Sequence, residues 1–197
     1  MNSLIFSMVA FAFVGSTTPG PVNLLATSTA INHGKQVAAK FVSGASLAYA
    51  LVVFLTGSMM QTVTTLIPQL ATTMQIIGSG FIFYLAYKIY TAPVTGIKSA
   101  STQQSGFWTG SLTQILNPKA WLVAMSGVSL YVIGQENESL SLLLFTGISL
   151  VLCLIGVGIW AVIGRLLTKT LNNTQRYRLF NRVMAVLLAI SVGAMWM

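Results

Sequence analysis

Two short motifs hold most of the side chains with which this chain could do chemistry. One is Thr18-Pro19-Gly20-Pro21 followed by Asn23, and the other is Asn117-Pro118-Lys119. Each sets proline in the first turn of a helix behind a residue able to cap it, Thr18 in one and Asn117 in the other. Proline is suited to that place, because the N–H it lacks has no intrahelical partner there. A helix started this way turns unpaired amides and its positive dipole end toward whatever precedes it. The chemistry on offer is anion binding, most simply of a carboxylate. Asn23 and Asn117 would add hydrogen bonds, and Lys119 a cation.

Composition removes other chemistry. The chain has no aspartate, its only acids are Glu136 and Glu138, and it has one histidine, His33, and one cysteine, Cys153. A Ser-His-Asp set cannot be built, and neither can a carboxylate cage for a metal. Gly34-Lys35 lacks the glycine spacing of a phosphate-binding loop. The expectation is no enzyme, no cofactor and no metal. His33, beside Gly34-Lys35, reads better as a loop residue than as a proton carrier. Cys153 has no intrachain disulfide partner and reads as a small buried hydrophobe. Tyr49 and Trp121 read as packing residues that could also line a pathway.

The elements that must position these motifs are membrane helices. The 197 residues are 55% apolar and 6% charged, with a mean hydropathy of +0.81, whereas a soluble domain carries about 25% charged residues. Apolar runs of spanning length fall at 3–31, 41–62, 71–91, 107–133, 140–164 and 178–197. As one helix the first run would be about 42 Å long, more than the ~30 Å of bilayer hydrocarbon. Its second half is expected to run from the proline motif to Asn32-His33-Gly34-Lys35, where a glycine and a cation give a stop. The fold class expected is an all-α integral membrane protein of six transmembrane helices, one membrane domain over 1–197. Spans one and four are broken at proline. Three spans per half, starting on opposite sides, make two inverted repeats, about 1–95 and 105–197. A short internal match, Ser43-Gly44-Ala45-Ser46-Leu47 with Thr146-Gly147-Ile148-Ser149-Leu150, agrees with that arithmetic. Gly106 and Gly110 form a G-x-x-x-G pair suited to close helix packing.

A net charge of +8 could suggest nucleic acid, but no basic stripe with stacking aromatics exists, so no nucleic-acid partner is expected. Nine of the ten cations fall in the connections at 32–40, 88–98 and 165–182. The alternate connections, 62–70 and 134–139, hold none, so both termini are expected outside. Tyr84, Tyr87, Tyr90, Tyr131, Trp160 and Trp196 read as interfacial anchors, and Arg178 and Arg182 as snorkelling cations. The N-terminus lacks the basic start of a secretory signal and is expected to be retained.

The paired motifs, with His33-Gly34-Lys35, Phe107-Trp108 and Gln114, resemble the LysE/RhtB family of bacterial amino-acid exporters over essentially the whole chain. Val22 stands where the family commonly has a first asparagine, and a Pro-Gln often found later in span four is absent from 126–132. That absence looks more like the cysteine/O-acetylserine exporter branch than the lysine branch. The resemblance implies export of amino acids across the bacterial inner membrane, driven by the proton gradient. On this reading the substrate is a small, mostly neutral amino acid held by Thr18, Pro19, Gly20, Pro21, Asn23, Asn117, Pro118 and Lys119. The lipid bilayer is the other partner, and a homo-oligomer stays open. The rival readings are an inorganic-ion exporter of similar architecture, a membrane-embedded enzyme and a non-transporting membrane scaffold.

Overall fold

The structure is a computed structural model describing residues 2–92, 106–168, 171 and 173–193, and those residues are helical apart from short turns. In chain order the helices are α1 (Asn2–Thr17), α2 (Pro21–Ser58), α3 (Met60–Tyr90), α4 (Gly106–Ile115), α5 (Pro118–Tyr131), α6 (Glu138–Leu167) and α7 (Thr174–Gly193). The readings made above for Lys98, Lys169 and Trp196 fall outside the described residues.

Both proline motifs interrupt the helix where they stand. The cap of α2 is Gly20, in extended backbone with φ −175° and ψ 179°, and Pro21 is the first helical residue. Thr18, expected in the capping role, faces the other way. Its backbone N–H and its hydroxyl both donate to Val14 O, at 3.0 and 2.6 Å, and so finish the last turn of α1. A hydroxyl with a free carbonyl one turn behind it bonds back readily, and it is then lost as a cap. The second motif behaves as read: Asn117 Oδ1 accepts from Lys119 N at 3.2 Å, with Pro118 starting α5.

Gly34 lies inside α2 with φ 80° and ψ 178°. That is left-handed backbone, which glycine adopts without steric cost. The expected stop at 32–35 is therefore a kink that divides α2 into residues 21–33 and 35–58. A second difference lies at 62–70, read as an outer connection but contained within α3; the break between α2 and α3 is at Met59, φ −124° and ψ 32°. Threonine and glutamine sit acceptably in helices, and Pro68 has no glycine or asparagine near it to support a stop.

α2 is the central helix, packed most extensively on α6 and α4. Against α4 the approach is backbone to backbone. A Cβ on Gly106 would strike Val37 O, one on Gly110 would strike Phe41 O, and one on Gly44 would strike Phe107 O. Ser111 Oγ donates across this crossing to Gly44 O at 3.1 Å. The G-x-x-x-G pair thus lets two helices meet at their backbones. Phe41, Phe145, Ile31 and Val53 are fully buried. Tyr131 belongs to this packing, its ring 5.6 Å from Phe11 and 5.7 Å from Phe145, rather than standing free as an anchor. The internal match is only partly kept: Ser46 and Ser149 are both buried, but Gly44 meets Phe107 while Gly147 meets nothing.

Large apolar side chains cover the outside, among them Phe6, Leu143, Ile155, Leu166 and Ile190. Among the described residues α2 and α6 are each long and apolar enough to cross a membrane, and α1 is apolar but shorter.

Candidate functional site

The two breaks face one cavity. Its lining includes Thr18, Gly20 and Asn23 from the first break, Asn117 and Lys119 from the second, and Gln114, Tyr49 and Cys153 from elsewhere in the wall. Its volume is about 50 Å³, room for a few water-sized groups at about 10–15 Å³ apiece. Pro19, Pro21 and Pro118, also expected at the site, do not line it. Proline has neither a donor nor a polar side-chain atom, so its part is to set the breaks.

Side chains hold the first break open. Asn23, one turn into α2, reaches back across it, and its Nδ2 donates to Ser16 O and Thr18 O, each at 2.9 Å. Trp160 of α6 donates its indole N–H to Thr17 O at 3.0 Å, while its own carbonyl accepts the Thr27 hydroxyl at 2.9 Å. The carbonyls left over at the end of α1 thus have partners from two directions. Trp160 was expected as an interfacial anchor; its indole is instead committed to the break. At the second break Trp121 plays a similar part, donating its indole N–H to Ile115 O at 2.8 Å.

The starts of the two helices differ: at α5 Lys119 N donates to Asn117 Oδ1 and Ala120 N to Asn117 O, while at α2 two amides stay open. The first intrahelical bond of α2 runs from Leu24 N to Gly20 O at 3.0 Å, so the amides of Val22 and Asn23 have no partner one turn back. Among the described residues Lys119 carries the only charge in the cavity wall, half-buried, its Nζ 3.7 Å from where a Cβ on Gly20 would stand. A cation and a helix N-terminus converge there, an arrangement that favours an anion.

Gln114 and Cys153 were not singled out as site residues by sequence. Gln114 lies in the last turn of α4, three residues before Asn117, which was the available signal. Cys153 reaches the cavity only because α6 packs on α2, and its neighbours in sequence are all apolar.

A cluster of polar contacts lies near the kink. Asn32 and Asn181 exchange amide hydrogen bonds at 3.1 Å in both directions, and Tyr177 donates its hydroxyl to Asn32 Oδ1 at 2.9 Å. Next to Asn32, burial first and the Lys88 ammonium second hold the His33 imidazole below its ordinary pKa. Lys88 lies over the Tyr84 ring at 5.3 Å, and Arg182 over the Tyr90 ring at 5.7 Å.

Proline-broken helices that face one small polar cavity, inside a helical body clothed in apolar side chains, belong to a membrane transporter. The family description of the LysE type translocator matches residues 13–195, and the chain belongs to that family. It is 28% identical over 188 residues to the cysteine/O-acetylserine efflux protein of Salmonella typhimurium (strain LT2), covering 94% of this chain and 93% of that one. It is 29% identical over 189 residues to the protein of the same name from Escherichia coli O157:H7, covering 94% of each. No solved structure matches significantly. The family resemblance read from the motifs is borne out.

Proposed function

We propose that this protein exports small, mostly neutral amino acids from the cytoplasm across the bacterial inner membrane, with cysteine and O-acetylserine as the leading candidates. The observation that carries the reading is the meeting of both helix breaks at one cavity beside Lys119. The open amides at the start of α2, the positive dipole end of α5 and the Lys119 ammonium suit the substrate carboxylate. The names of the relatives favour the cysteine-like end of the range. A lysine or arginine substrate would bring, beyond its α-ammonium, a further cation into a wall that already holds Lys119 and no acid. We take residues 1–197 to be one domain of six spans in two inverted repeats with both termini outside, driven by the proton gradient. Access would alternate by rocking one repeat against the other.

The test is efflux from cells overproducing the protein. Cells loaded with L-cysteine should release it faster than controls and tolerate more of it in growth medium, while tolerance to an arginine analogue stays unchanged. Protection against a basic analogue alone, matched by efflux of lysine or arginine, overturns the reading.

A further inference from the structure

On the exporter reading, from which the following is drawn, the cavity must hold a substrate anionic at one end and cationic at the other. The helix starts and Lys119 suit the carboxylate. For the ammonium nothing acidic is at hand. Glu136 precedes α6 and Glu138 is its first residue, and neither lines the cavity. A charged group taken out of water needs partners, so acceptors have to come from neutral groups.

Two residues of the wall carry them. Asn23 is 4% and Gln114 7% exposed, and the Oδ1 of the first and the Oε1 of the second are buried without a hydrogen-bond partner. Buried amide oxygens in that condition are rare and destabilising, which marks them as groups awaiting one. The orientation of Asn23 is fixed, because its Nδ2 serves two carbonyls. Turning the amide over would set its oxygen against both. The two residues come from different breaks, one from the first turn of α2 and one from the last turn of α4.

We propose that Asn23 Oδ1 and Gln114 Oε1 receive the α-ammonium of the substrate, so that the site selects compounds bearing both a carboxylate and a protonated amine. An ammonium offers three N–H donors and an amide oxygen accepts with two lone pairs, so two such oxygens can hold it without introducing charge. Neutral acceptors bind an ammonium less tightly than a carboxylate does, and that suits a site that must let its substrate go on the far side.

Gln114 is the residue to vary, since replacing Asn23 also removes the two bonds that hold the first break. Inside-out membrane vesicles containing the full chain would take up radiolabelled L-cysteine under reducing conditions, in competition with unlabelled L-cysteine, with 3-mercaptopropionate (no amine) and with cysteamine (no carboxylate). The wild-type protein should prefer L-cysteine to either fragment. In Gln114→Leu the half-inhibiting concentration of L-cysteine should rise by about tenfold, the size of one hydrogen bond to a charged group, and that of 3-mercaptopropionate should stay put. Gln114→Glu keeps the acceptor oxygen and should keep the preference for the amine, which separates lost recognition from lost folding. Equal loss for L-cysteine and 3-mercaptopropionate in Gln114→Leu, or an unchanged preference, overturns the assignment of the ammonium. Failure of wild-type vesicles to take up either L-cysteine or O-acetylserine overturns the exporter reading instead, and the assignment of the ammonium with it.

Discussion

Lys119 Nζ stands 3.7 Å from the place a Cβ on Gly20 would occupy, although the two residues belong to different broken segments of the chain. This proximity brings the first turn of α5 beside the cap of α2 and sets the cation near the helix start proposed to receive a carboxylate. The backbone of Gly20 is extended, which any residue adopts, so space and not conformation is what glycine supplies there.

Small and large substitutions at Gly20 should therefore separate. Gly20→Ala brings a methyl to ordinary contact distance and should leave efflux within about twofold of wild type, whereas Gly20→Leu should displace the ammonium and lower efflux by about tenfold or more, a cost near 1.4 kcal/mol. The measurement is L-cysteine efflux normalised to protein in the membrane. Lys119→Arg should keep more efflux than Lys119→Met if the charge meets the substrate. Equal activity in those two variants would reduce the lysine to a residue that snorkels.

The two indoles predict a stability effect separate from transport chemistry. Trp160→Phe and Trp121→Phe keep an aromatic ring but take away the N–H bonds to Thr17 O and Ile115 O. Each should lower stability by about 1 kcal/mol, the net size of a typical hydrogen bond, since the acceptor carbonyls are only part-buried. Thermal unfolding in detergent would show it as a lowered midpoint. No change in either variant would mean that water replaces the indole at no cost.

The breaks were legible in the sequence because proline, glycine and asparagine act locally. Asn117 and Pro118 cap and start α5 as read, and Gly34 marks a kink in α2 where a helix stop was expected. Assigning the first cap failed by two residues, since nothing in the order of residues says whether Thr18 will bond forward or back to Val14. What brings the site together was not legible. Trp160 meets Thr17 across 143 positions and Thr27 meets Trp160 across 133, so each pairing exists only once α6 has packed on α1 and α2. The stretch 62–70 misled because polar but helix-compatible residues resemble a connection in an apolar chain.

His33 gives a dependence on pH. Its folded pKa lies below the ordinary 6.5, through burial and then through Lys88. Protonation is thus easier in the unfolded chain, which binds more protons between the folded pKa and the unfolded one. Stability should be greatest above the unfolded value and fall as pH drops through 6.5 toward the folded value. His33→Gln should flatten that acid limb in a series of thermal midpoints between about pH 7.5 and 5, leaving the midpoint at the upper end nearly unchanged. An acid limb of the same depth in His33→Gln would assign it to other groups.

The first break itself is the last thing to test. Replacing Pro19 and Pro21 with alanine restores two backbone donors and installs the strongest helix former, so a continuous helix through 17–21 becomes available. Side chains now resist it. Asn23 Nδ2 holds Ser16 O and Thr18 O apart from helical partners, and Trp160 holds Thr17 O. Pro19→Ala/Pro21→Ala alone should therefore lower efflux only in part. Adding Asn23→Leu removes the amide that bridges the break, and the triple variant should lose efflux while still reaching the membrane. Asn117→Leu offers the matching change at the second break, deleting the cap on Lys119 N while Pro118 still starts α5. Membrane abundance has to be measured in parallel, because failed insertion would imitate failed transport. Wild-type efflux by the triple variant at wild-type abundance would reduce the first break to an ordinary bend, and the shared carboxylate site would fall with it.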